Sequence, residues 1–91
     1  LCEGPTASTA KFINETYANL EEEVAAGEGK HVTAMLNMMG CSSHAQPAII
    51  EGLRSDLNVQ MSDASYSTQS KTQNAEIFFN SAVNRANAAK C

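Results

Sequence analysis

FINETYANLEEEVAAGEGKHVTAMLNMMG, residues 12–40, is the stretch on which the fold turns. Phe12, Ile13, Tyr17, Leu20 and Val24 recur at three- and four-residue steps, which places them on one face of a helix. Gly27 follows, a residue that tolerates the left-handed backbone of a helix end. The pattern resumes at once with Val32, Met35, Leu36 and Met39 and stops again at Gly40. Two apolar stripes separated by so short a link predict an angled helical hairpin.

Working outward, the first helix is expected to start at Ser8 or Thr9, either able to cap it, and to end at Ala26. The second is expected from Glu28 to Met39. Cys41-Ser-Ser-His44 reads as a loop, after which Pro47 suits the first turn of a third helix reaching about Val59. Ile49, Ile50, Leu53 and Leu57 form its inward stripe, and Gly52 allows a close neighbour. The polar stretch from Ser62 to Asn74 is a connection, with Tyr66 expected to plug the core. A fourth helix from Ser70 or Thr72 to Lys90 carries Ala75, Phe78, Phe79, Ala82, Val83 and Ala86. Asn74, Asn80, Asn84 and Asn87 are mediocre helix formers, so packing must support this last helix. The expectation is an all-α protein: a compact bundle or array of about four helices in a single domain over residues 1–91.

So small a core needs a staple. Cys2, Cys41 and Cys91 are the disulfide candidates, and two of them lie at the ends of the sequence. In the chain-entropy model a Cys2–Cys91 bridge contributes about 4.6 kcal/mol and either bridge to Cys41 roughly 4, so loop length does not choose among them. Cys41, in a loop beside a helix end, is the preferred member of an intrachain pair, with Cys2 and Cys91 as competing partners. The odd cysteine is a candidate for linking chains. Oxidised cysteines place the protein outside the reducing cytosol, in the periplasm or beyond.

Ten acidic residues against six basic give a net charge of −4, and the six cations are scattered. No basic stripe tracks phosphates, so nucleic acid is not an expected partner. No apolar run approaches the ~20 residues of a membrane-spanning helix.

His31, Cys41 and His44 are the nearest set of soft-metal ligands, but a structural zinc needs four, so His31 and His44 are weak metal candidates and no metal or other cofactor is expected. Gly27-Glu-Gly-Lys-His31 lacks the strand and spacing of a phosphate loop and reads as a turn. Lys30 near the positive end of the second helix calls for a carboxylate such as Glu28. Glu21, Glu22 and Glu23 point about 100° apart on a helix, do not converge on one ion and read as a solvated face. Neither histidine has an evident carboxylate to orient it, and no serine lies in a nucleophile elbow, so no catalytic constellation is found. Met35, Met38 and Met39 line a candidate ligand pocket, although thioethers filling gaps in a core without tryptophan explain them as well.

The hairpin resembles an uncharacterised family of small exported proteins from Gram-negative bacteria, defined only as a domain of unknown function. The likeness covers residues 12–57: Phe12, Leu20 and Val24, then Gly27-x-Gly29, then Val32, Met35, Met38 and Met39 up to Gly40. The chain departs from the family at Lys30, where an acidic residue is usual, and at Asp56-Leu-Asn-Val-Gln-Met61, where the family is more aromatic. The resemblance implies export, and it implies a signal-peptide-led segment ending near a cysteine that Cys2 matches, so that the chain is a C-terminal portion of a longer precursor. It supplies no activity, cofactor or catalytic residue. The expected function is a non-enzymatic, extracytoplasmic interaction or structural protein that binds a protein partner or copies of itself. The alternative is a carrier of a small ligand or metal, using the methionine pocket or a histidine site.

Overall fold

Four helices, α1 (Glu3–Ala26), α2 (Lys30–Met38), α3 (Gln46–Ser62) and α4 (Lys71–Ala88), make up the regular structure of the computed structural model, which describes residues 3–91 and side chains from Ala7 onward. Among the described residues there is no strand. α1 begins ahead of the expected Ser8 or Thr9, and Thr9 is buried within it instead of capping it. Pro5 falls in the first turn, where its missing N–H costs no helical hydrogen bond, so it does not stop the helix. α1 bends at Thr16, whose backbone leaves helical values (φ −117°, ψ 20°). The Thr16 hydroxyl donates to the Phe12 carbonyl at 2.7 Å, the back-bonding by which mid-helix threonines bend a helix.

α1 is the centre of the assembly and packs against all three other helices. Ile13, Tyr17, Leu20 and Val24 meet Val32, Met35, Leu36 and Met39 of the hairpin, Ile49, Leu53 and Leu57 of α3, and Ala75, Phe78, Ala82 and Ala86 of α4 in one continuous core. Tyr17 meets the edge of Phe78 at a centroid distance of 5.9 Å and an interplanar angle of 90°, a favoured aromatic geometry. Among the described residues α2 and α4 do not pack on each other.

α1, α2 and α4 end the same way. Gly27 (φ 91°), Gly40 (φ 79°) and Lys90 (φ 55°) take the left-handed conformation, and the next N–H folds back on the helix. Glu28 donates to the Glu23 carbonyl at 3.1 Å, Cys41 to Leu36 at 3.0 Å and Cys91 to Ala86 at 3.0 Å, the pairing of a Schellman motif. Cys41 and Cys91 therefore occupy equivalent positions after α2 and α4. There they form a disulfide, with Cα atoms 4.6 Å apart. Of the two partners left open for Cys41, the fold selects Cys91; Cys2 lies outside the described residues.

α3 runs to Ser62, beyond the expected Val59, because no breaker intervenes before Asp63, whose carboxylate accepts from the Ser65 N–H and hydroxyl, both at 2.8 Å, and starts the turn. Ser70 starts α4 with a capping box: its hydroxyl accepts from the Gln73 N–H at 3.1 Å, and the Gln73 side chain accepts from the Ser70 N–H at 2.9 Å.

Candidate functional site

The inner turn of the hairpin is organised by Glu23, which does not lie on a solvated face. Its carbonyl closes the end of α1, while its side chain, 17% exposed, reaches the start of α2. Glu23 Oε1 accepts from the N–H groups of His31 (2.7 Å) and Val32 (2.9 Å), two of the donors that a helix N-terminus leaves without partners. Glu23 Oε2 lies 2.6 Å from His31 Nδ1. The imidazole thus has an orienting carboxylate that the sequence did not reveal, and its ring stacks on Phe12 at 6.4 Å. Burial works to raise the Glu23 pKa, but the bonds from Val32 and His31 outweigh it and hold the carboxyl below its usual range. Gly29 makes room for this arrangement, since a Cβ there would overlap the Glu23 side chain. The carboxylate that answers the positive end of the second helix is Glu23, eight residues before His31, and not the expected Glu28.

On the other side of α1, Tyr66 is half-buried and latches onto α1 through its hydroxyl instead of plugging the core as expected. Its hydroxyl donates to Glu21 Oε2, and the Tyr17 hydroxyl lies 2.9 Å away. Because Tyr66 has one proton to give and the carboxylate takes it, Tyr17 donates to Tyr66. Burial, reinforced by the hydrogen bonds to Glu21 and Tyr17, pushes the Tyr66 phenol well above its ordinary range and keeps it neutral. Asn74 Nδ2 donates to the Tyr66 carbonyl at 3.3 Å, so the α3–α4 connection is pinned at both faces.

α3 and α4 enclose a groove of about 410 Å³ whose walls carry Val59 and Ile77. Val59 is 71% exposed and Ile77 38% exposed. Asp56, Asp63, Gln60 and Asn84 frame them with polar atoms. Asp56 is held by Arg85, which donates from Nε at 2.9 Å and from a terminal nitrogen at 2.7 Å while its stem crosses Gly52, the close approach expected at that glycine. Beside α1, Met61 is 47% exposed and borders a second groove with Ala25, Leu57 and Arg54. Val59 and Ile77 are absent from the inward stripes because they fall off them, one two residues past Leu57 and the other one residue before Phe78. That displacement of an apolar residue from a helical stripe is the signal that marks them.

The remaining sequence candidates are dispersed. Met35 and Met39 belong to the core, and Met38 is half-buried. His44 is exposed in the turn before α3, while His31 is engaged by Glu23. Among the described residues no group of three His, Cys, Asp or Glu side chains is placed to hold a metal ion, and no helix is long and apolar enough to cross a membrane.

No curated protein and no solved structure matches the chain. A family model does match, over residues 3–89, which extends the likeness seen in the hairpin through both flanking segments and all four helices. The chain belongs to the family described as protein of unknown function, DUF3015.

Proposed function

We propose that this chain is a non-enzymatic, extracytoplasmic interaction domain, exported by a Gram-negative bacterium, that docks a partner protein or a copy of itself through the α3–α4 face. The observation that carries the reading is Val59, 71% exposed beside Ile77 in a groove that polar side chains frame. A helix normally turns its branched aliphatics inward, and an apolar strip with a polar rim is the composition of a docking surface. The Cys41–Cys91 bridge supports an oxidising compartment. With those two cysteines joined to each other, Cys2 is the cysteine left for a link between chains.

The native mass of the full chain, measured by sedimentation with and without reductant over a wide concentration range, tests self-assembly. An oligomer that Val59→Asp and Ile77→Asp dissociate, with helicity unchanged, is the expected result. A monomer at every concentration leaves only a different partner, and self-assembly through this face is then excluded.

A further inference from the structure

The Cys41–Cys91 bridge joins two helices that, among the described residues, do not otherwise pack on each other, and its two halves are held unequally. Cys41 is 6% exposed; its N–H donates to the Leu36 carbonyl at 3.0 Å and its own carbonyl accepts from Gln46 Nε2 at 3.1 Å. Cys91 is exposed and follows Lys90, a residue with a side chain in the left-handed conformation that glycine supplies at the other two helix ends. The part of α4 that fills the core, Ala75, Phe78, Ala82 and Ala86, is held by α1 and α3 without help from the bridge.

We propose that the bridge is a redox-operated tether, opened at Cys91 by a dithiol, whose reduction releases residues 87–91 while the four-helix core stays folded. This inference does not rest on the docking face. A thiolate of the dithiol forms a bond to Cys91 Sγ; the Cys41–Cys91 bond breaks, and its electron pair leaves on Cys41 Sγ, which takes a proton from water. The second thiol, deprotonated, attacks the mixed disulfide, so that Cys91 leaves as a thiolate and the reagent becomes an internal disulfide. Two electrons pass from the dithiol to the protein. A monothiol is a poor substitute. Cys41 stays beside Cys91 in the folded chain and attacks the mixed disulfide again before a second monothiol arrives, which restores the bridge. Once the bond is open, the exposed Lys90-Cys91 turn keeps only its backbone bonds to Asn87 and Ala86 and the packing of Ala89, set against the steric penalty at Lys90.

The experiment uses the full chain with Cys2→Ser, so that Cys41 and Cys91 are its only cysteines. The oxidised protein is treated with glutathione or with dithiothreitol, quenched by alkylation and mapped by mass spectrometry, and amide hydrogen exchange is followed on the same samples. Glutathione is expected to leave most of the bridge closed, with the small trapped adduct on Cys91, and dithiothreitol to liberate both thiols. In the reduced protein the amides of residues 87–91 should exchange about tenfold faster or more, with those of Ile13, Leu20 and Phe78 remaining protected. Cys91→Ser should reproduce that local loss without any reductant. An adduct on Cys41 overturns the direction of attack. Uniform loss of protection, a Cys91→Ser chain that does not fold, or no change in exchange at residues 87–91 overturns the tether.

Discussion

Gly29→Ala isolates the Glu23 cap from everything else in the hairpin. Gly29 has an extended backbone (φ 160°, ψ 161°) that alanine also adopts, so the substitution by itself should stabilise by about 0.5 kcal/mol through the unfolded chain. The structure reverses that sign, because the new Cβ overlaps the Glu23 side chain and drives its carboxylate from the N–H groups of His31 and Val32. Losing a helix cap together with its interaction with the helix dipole costs about 2 kcal/mol, so Gly29→Ala should destabilise by about 1.5 kcal/mol net. Glu23→Ala should cost about 2 kcal/mol. The double variant should lie near 1.5 kcal/mol, no worse than either single change, which gives a coupling of about −2 kcal/mol. Urea unfolding followed by circular dichroism reads each value as a shift in midpoint at constant slope, about 1–2 M for slopes near ~1 kcal/mol/M. If Gly29→Ala is as costly in the Glu23→Ala background as in the wild-type chain, the carboxylate is not what the glycine accommodates and the assignment of the cap is wrong.

Replacing both Cys41 and Cys91 by serine opens a loop with a sequence separation of 50 and should cost about 4 kcal/mol in thermal or urea unfolding. Against roughly 9 kcal/mol for a domain of this size, that leaves the chain folded, and an unfolded double variant would show the bridge to be indispensable. Lys90→Gly relieves a left-handed side-chain conformation (φ 55°) and should stabilise by about 1 kcal/mol, whereas a loss would mean that the Lys90 side chain makes a contact worth more than the relief. Glu23 and Asp56 both titrate below their ordinary values of 4.5 and 3.8, Glu23 because the Val32 and His31 bonds outweigh burial and Asp56 chiefly because of Arg85. Their contribution is therefore fully present above those values and is lost as pH falls through the lower folded-state values, which an acid titration of the unfolding midpoint will show as a plateau followed by a decline below about pH 4. Glu23→Gln should flatten the part of that decline due to Glu23.

Periodicity made the helices legible, because a buried stripe leaves its 3.6-residue mark whatever it packs against. Phe12 to Val24, Val32 to Met39, Ile49 to Leu57 and Ala75 to Ala86 all lie where their spacing placed them. Gly27 and Gly40 announced two helix ends because only glycine takes that backbone without penalty. The third equivalent end was hidden, since Lys90 adopts the same conformation against its own preference, and neighbours along the chain do not record why. Composition also limited the cysteine pairing to few choices, while the selection of Cys91 over Cys2 awaited the arrangement that brings the ends of α2 and α4 together. Glu23 shows the limit most clearly. In the run Glu21-Glu22-Glu23 the three carboxylates are chemically identical, yet the turn at Gly27 carries one of them to the N–H groups of α2, and the Tyr66 connection claims another. Spacing reports which face of its own helix a residue occupies; which neighbour stands opposite that face depends on how the chain turns back, and only the tertiary structure decides it.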